Sequence, residues 1–277
     1  MTGHPTPDGP PCAPGGAAET VDASVRDMLL LTASALAPDP ECGDVDAGLV
    51  LGAGRRLGLA PSVLAAAEAD GLVRWSGGRV GFTCGRLRAA VYDRAPAARR
   101  RAAHAALALA SAREGRRLVR LVHVALSVRG PAPRLAAELA AEAAREDAGR
   151  SHRERASAYL RAAELTAGSG ARAERWTAAA EQARLAGASG RAAGLLAVAR
   201  REGGHASVRG RAELVRGVIL LEDGPVCDAE ETLRTAAALL DPYDPVLARA
   251  ARLAAVDAAW AGGDLTVCRA ALDAAGA

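Results

Sequence analysis

The 277-residue chain contains no lysine: its 35 basic residues are all arginine. A phosphate-binding P-loop uses a lysine to reach the β and γ phosphates, and Schiff-base catalysis uses a lysine amine. Both chemistries are therefore excluded. Aromatics are scarce too, at 3% of residues with a single phenylalanine. The apolar half of the chain is mostly Ala, Leu and Val, which calls for closely approaching helices rather than thick aromatic layers. Cysteine is sparse and odd in number. Cys12, Cys42, Cys84, Cys227 and Cys268 have no metal-ligand spacing, which argues against a zinc site or a disulfide scaffold and for a reduced, cytoplasmic setting. The longest apolar run, about residues 28–37, falls well short of the ~20 residues a bilayer span needs. The start, MTGHPTPDGPPCAPGGAA, has neither the basic nor the apolar region of a secretory signal. Its five prolines and four glycines predict a disordered tail over residues 1–22.

What is present is patterned. The net charge of +3 is mild, but the stretch from Arg86 to Arg120 holds ten arginines against Asp93 and Glu114, a local +8 that leaves −5 for the remainder. Upstream of it, apolar spacing predicts helices over 25–37, 45–57 and 61–70. Two short β-like runs, LVRW and RVGF, follow around a Ser-Gly-Gly turn. Helix resumes over 86–92. Three helices followed by a hairpin is the order of a winged-helix-like module, assigned to residues 23–96. Trp75, Phe82 and Tyr92 are spaced to meet beneath that hairpin as a small aromatic core.

From residue 97 the prediction is helix almost without interruption. Helices over 98–112 and 116–128 read as an antiparallel pair, across which His104 and His123 could face each other. Later helices are predicted over 134–148, 151–166, 172–186, 190–201, 208–222, 227–240, 245–261 and 265–275. The second helix of each successive pair repeats a pattern. Ala156, Ala192, Ala229 and Cys268 fall at intervals of 36, 37 and 39 residues. Leu160, Leu196, Leu233 and Leu272 keep those intervals, and so do Ala163, Ala199, Ala236 and Ala275. Small-x3-Leu-x2-small places all three sites on one helix face. A period near 34–40 built of helix pairs signals a TPR-like solenoid, assigned to 97–277, with Gly217 as the small residue of a first helix. The fold class expected is mainly α: a winged-helix-like module with a short β-hairpin, then a TPR-like α-helical repeat solenoid.

An ordered series of short elements carries a family resemblance. Gly71-Leu72-Val73, Gly77-Gly78-Arg79-Val80 with Phe82, Ala90-Val91-Tyr92, Ala95-Pro96, Arg100-Arg101-Ala102-Ala103-His104, His123-Val124-Ala125 and Arg161-Ala162-Ala163-Glu164-Leu165-Thr166 run in sequence. The series resembles the central part of large, ATP-binding, MalT-like regulators of the LuxR family from actinobacteria. Where such regulators carry His-Pro-Leu after the hairpin phenylalanine, this chain has Thr83-Cys84-Gly85-Arg86-Leu87. It also lacks the GxxxxGK[ST] signature and a C-terminal recognition helix. The resemblance therefore implies a truncated, regulator-like protein that acts by binding.

Candidate contacts to a partner or to nucleic acid are Arg86, Arg88, Arg94, Arg99, Arg100 and Arg101. The three consecutive arginines fan over roughly 200° of a helix, so a solvated basic face is the competing reading. Glu138, Glu142 and Glu146, four residues apart, read as a solvated helix face. No catalytic, cofactor-binding or metal-ligating set emerges, and no enzyme activity is expected. The expected partner is a protein or small effector held by the repeats. Direct DNA binding by the winged-helix region and a stand-alone interaction scaffold are the alternatives, and no membrane partner is expected.

Overall fold

The computed structural model describes residues 22–37, 43–145, 150–263 and 265–276. All of the expected tail but Asp22 lies outside them. The described chain divides into two compact units between Glu114 and Gly115.

In the first unit, α1 (Ala23–Leu36) is capped by the Asp22 carboxylate, which accepts from the Ser24 amide at 3.2 Å. Residues on every side of α1 are buried, from Met28 and Leu29 to Leu36. A helix apolar all round belongs at the centre, and α1 packs on α2 (Ala47–Arg56), α3 (Pro61–Ala69), α4 (Gly85–Arg94) and α5 (Ala97–Arg113). The expected hairpin is β2 (Val73–Ser76) with β3 (Arg79–Phe82). Gly77 and Gly78 take φ of 59° and 76°, the pair of positive values that a two-residue hairpin loop requires. Val73 opposes Phe82 and Trp75 opposes Val80, so all four side chains share one face, and Val73, Val80 and Phe82 are buried.

One expectation changes here. Residues 45–57 are not one helix: β1 (Val45–Asp46) pairs antiparallel with β3, giving sheet order β1-β3-β2. Helix α2 starts only at Ala47, because the Asp46 side chain caps it by accepting from the Gly48 amide at 2.7 Å. Tyr92 pairs with His104 on α5, with a hydroxyl-to-Nε2 distance of 2.9 Å and ring centroids 5.9 Å apart. The helix over 97–113 packs on α1 and α2, within the first compact unit.

The second unit is entirely helical among the described residues: α6 (Arg117–Ser127), α7 (Pro133–Ala144), α8 (His152–Glu164), α9 (Ser169–Leu185), α10 (Ser189–Glu202), α11 (Ala206–Asp223), α12 (Val226–Leu240), α13 (Pro245–Ala261) and α14 (Leu265–Gly276). Each helix packs on the next, from α6 through α14. In addition α6 meets α8, α9 meets α11, and α11 meets α13. These are stacked consecutive helix pairs. The core is correspondingly a succession of clusters. One joins Leu121, Leu139 and Ala162; the next joins Ala180, Ala192, Leu196 and Val215; a third joins Ala229, Leu233, Ala255 and Ala258.

The repeating columns account for this packing. Ala156, Ala192, Ala229 and Cys268 are all buried, and so are Ala163, Ala199 and Ala236; the side chain of Ala275 lies outside the described ones. In the leucine column Leu196 and Leu233 are buried and Leu160 is half-buried against the second of the clusters above. Leu272 departs from the column at 54% exposure. Gly217 is buried on α11, where an added Cβ would lie 2.5 Å from Leu233 Cγ. Its missing side chain is what lets α11 and α12 approach.

Candidate functional site

The six candidate arginines sit on α4 and α5, and the fold uses two of them internally. Arg99 Nη1 lies 3.1 Å from Asp27 Oδ1 and ties α5 to α1. Both side chains are well exposed, so that pair contributes little to stability. Arg100 Nη1 donates to the Tyr92 and Asp93 carbonyls, each at 3.2 Å, and its guanidinium lies 5.3 Å from the Tyr92 ring centroid. It thus satisfies carbonyls in the last turn of α4, which have no partner within the helix, while stacking as a cation on an aromatic face. Arg86 and Arg94 are exposed and Arg88 and Arg101 half-buried. None of these four has an acidic partner among the described residues. Arg99 and Arg100 are turned to α1 and α4.

His104 is buried beside Tyr92. His123 is buried on α6 in the second unit. Loss of hydration lowers its pKa to about 3, and the nearby Arg116 charge pushes the same way. It is therefore neutral at physiological pH. Among the described residues no group of three or more His, Cys, Asp or Glu could hold a metal ion. The acidic face expected on α7 is also revised. Glu142 is buried, and its carboxylate is held by Arg117 at 3.2 Å and by Arg150. Glu138 stays exposed and pairs with Arg117 at 3.0 Å, and Glu146 lies outside the described residues. Two arginines from separate segments explain why this one carboxylate can leave water.

A cleft of about 410 Å³ lies among α9, α10, α11 and α12 in the second unit. Ala199, Ala212 and Leu239 supply apolar lining, and Arg200, Arg209 and Glu213 the charge. Glu213 lies 3.9 Å from Arg200 Nε and 3.5 Å from Arg216 Nε, so its charge is already engaged. Arg209 is exposed, with no acidic partner among the described residues. The hydroxyls of Thr177 and Thr235, also in the lining, donate within their own helices, to Ala173 and Glu231 carbonyls at 2.9 Å each. They offer only acceptor lone pairs to an occupant. The arrangement can hold a small molecule or chain end with an apolar body and an anionic group. Sequence reading missed it because its residues come from four helices, and no periodicity records which turns of those helices meet. The only local signal is Arg209 and Glu213 at i, i+4 on α11.

No helix among the described residues is long and apolar enough to cross a membrane. No known family, curated protein or solved structure matches the chain.

Proposed function

We propose that this chain is a non-enzymatic regulatory binding protein: a winged-helix-like module followed by TPR-like helical repeats that hold a protein or small effector. The observation that carries the reading is the burial of the small-residue columns where consecutive helix pairs stack. Repeats of this kind contact only their neighbours and leave an extended surface for a partner. The element order α1-β1-α2-α3-β2-β3, with sheet order β1-β3-β2, supports the winged-helix-like half. Both halves in this order agree with the resemblance to the central part of LuxR-family regulators. Within such an arrangement the cleft among α9–α12 is the effector site, and Arg209 selects a carboxylate-bearing ligand.

The DNA-binding alternative is less well supported. In a helix-turn-helix pair the second helix enters the major groove. Here that helix is α3, whose exposed residues include Ala65, Ala66 and Glu68 but no arginine. Without Arg or Lys it can neither neutralise phosphates nor read guanine.

The test is a thermal-shift screen of the full chain against small carboxylates and free C-terminal peptides, with a labelled DNA duplex and ATP as further arms. The expected result is stabilisation by one or more carboxylates that Arg209→Ala removes. Duplex affinity and ATP hydrolysis are expected to be absent at moderate salt. Salt-sensitive duplex binding that falls when Arg99, Arg100 and Arg101 are neutralised would establish the alternative instead.

A further inference from the structure

Helix α13 is built the wrong way round for a helix that ends at its own core. The residues it turns inward are alanines: Ala248, Ala251, Ala255, Ala258 and Ala259 are all buried. On the opposite side Val246, Leu253 and Trp260 are 79%, 52% and 71% exposed. They recur every seventh residue, so they drift only about 20° per step and form one stripe roughly 21 Å long at 1.5 Å rise per residue. Nothing among the described residues covers it. A helix that is apolar on both faces is normally buried on both.

The charges on this stripe identify what covers it. Arg249 stands four residues before Leu253 and Asp257 four residues after; both are exposed, and neither has an ion-pair partner among the described residues. A second copy of α13 laid antiparallel, with the two-fold axis passing beside Leu253, brings Arg249 of each copy level with Asp257 of the other. The same operation sets Val246 against Trp260, large beside small, at both ends. A parallel pairing would instead set Arg249 beside Arg249 and Asp257 beside Asp257. Isologous two-fold contacts require this kind of self-complementary patch.

We infer that α13 is a homodimerisation surface, on which two copies of this chain pair antiparallel through Val246, Leu253 and Trp260 with reciprocal Arg249–Asp257 ion pairs. The patch is small, so association is expected at about micromolar strength. The inference rests on the α13 surface alone and is independent of the effector site.

Sedimentation equilibrium of the full chain tests it. At about 100 µM, far above such a Kd, the wild-type chain is expected to be dimeric. Arg249→Asp and Asp257→Arg each place like charges opposite one another, and each alone is expected to weaken association about tenfold or more. Mixed in equal amounts, the two variants restore both ion pairs and are expected to form a heterodimer near wild-type strength. Circular dichroism checks that these surface variants remain folded. A wild-type chain that is monomeric at about 100 µM overturns the inference, as it would if a different protein were the natural occupant. Failure of the mixture to associate overturns it equally.

Discussion

Leu233→Ala is expected to destabilise the chain by about 3 kcal/mol, within the range for leucine truncation in rigid cores. The side chain is fully buried on α12. Its cluster includes Ala229, Ala255 and Ala258, side chains with no free rotamer to move into the space it leaves. Leu272→Ala, at the same position of the repeat, is expected to cost less than about 0.5 kcal/mol because that leucine is already in water. Urea unfolding of the three chains measures both numbers. Equal costs would show that the leucine column does not mark the core.

Acid is expected to weaken the fold through His123. Its pKa is about 3 in the folded chain and near 6.5 once unfolded. The unfolded state therefore binds a proton that the folded state refuses throughout the interval between those values. Above pH 6.5 the difference vanishes; below it, stability falls by about 1.4 kcal/mol per unit until pH approaches 3. Between pH 7 and pH 5 the loss from this group is about 2 kcal/mol. Carboxylates that lose ion pairs in acid add to the total, so the informative quantity is the difference from a chain lacking the titration. His123→Gln is expected to lose about 2 kcal/mol less than wild type over the same interval, read from urea unfolding at the two pH values. Parallel losses would mean that His123 admits its proton while folded.

The repeat region was largely legible because its signal is local. Three columns, each with one position per helix pair, and a glycine or proline at most turns suffice to mark α8 through α13 to within a few residues. The hairpin was legible for the same reason, since Gly77-Gly78 and the alternating runs beside it lie within ten residues. What escaped were features made by distant segments. Val45 and Asp46 continue an apolar helical pattern in sequence, but the open edge of β3 captures them as a strand. Tyr92 belongs with His104 because α5 folds back on α1, which local spacing does not record. Glu142 reads as one member of an exposed acidic row until Arg117 and Arg150 converge on it. A basic cluster in sequence likewise carries no sign that Arg100 will cap the preceding helix. The cleft among α9–α12 escaped because its lining comes from several helices, and Arg209 with Glu213 on α11 is only a fragment of it.

The central claim is that small residues let successive helices close around a leucine seam, and Gly217 with Leu233 tests it most directly. Alanine is normally better than glycine inside a helix by about 1 kcal/mol. In the wild-type chain Gly217→Ala is nevertheless expected to destabilise by about 1–2 kcal/mol, since the new methyl group meets Leu233 Cγ and Cδ2 in a packed core. In a Leu233→Ala background both atoms are gone, and the same change is expected to stabilise by about 1 kcal/mol. Urea unfolding of the four chains gives the answer. Reversal of sign is the predicted result; an effect of the same size and sign in both backgrounds would mean that α11 and α12 do not meet at this point.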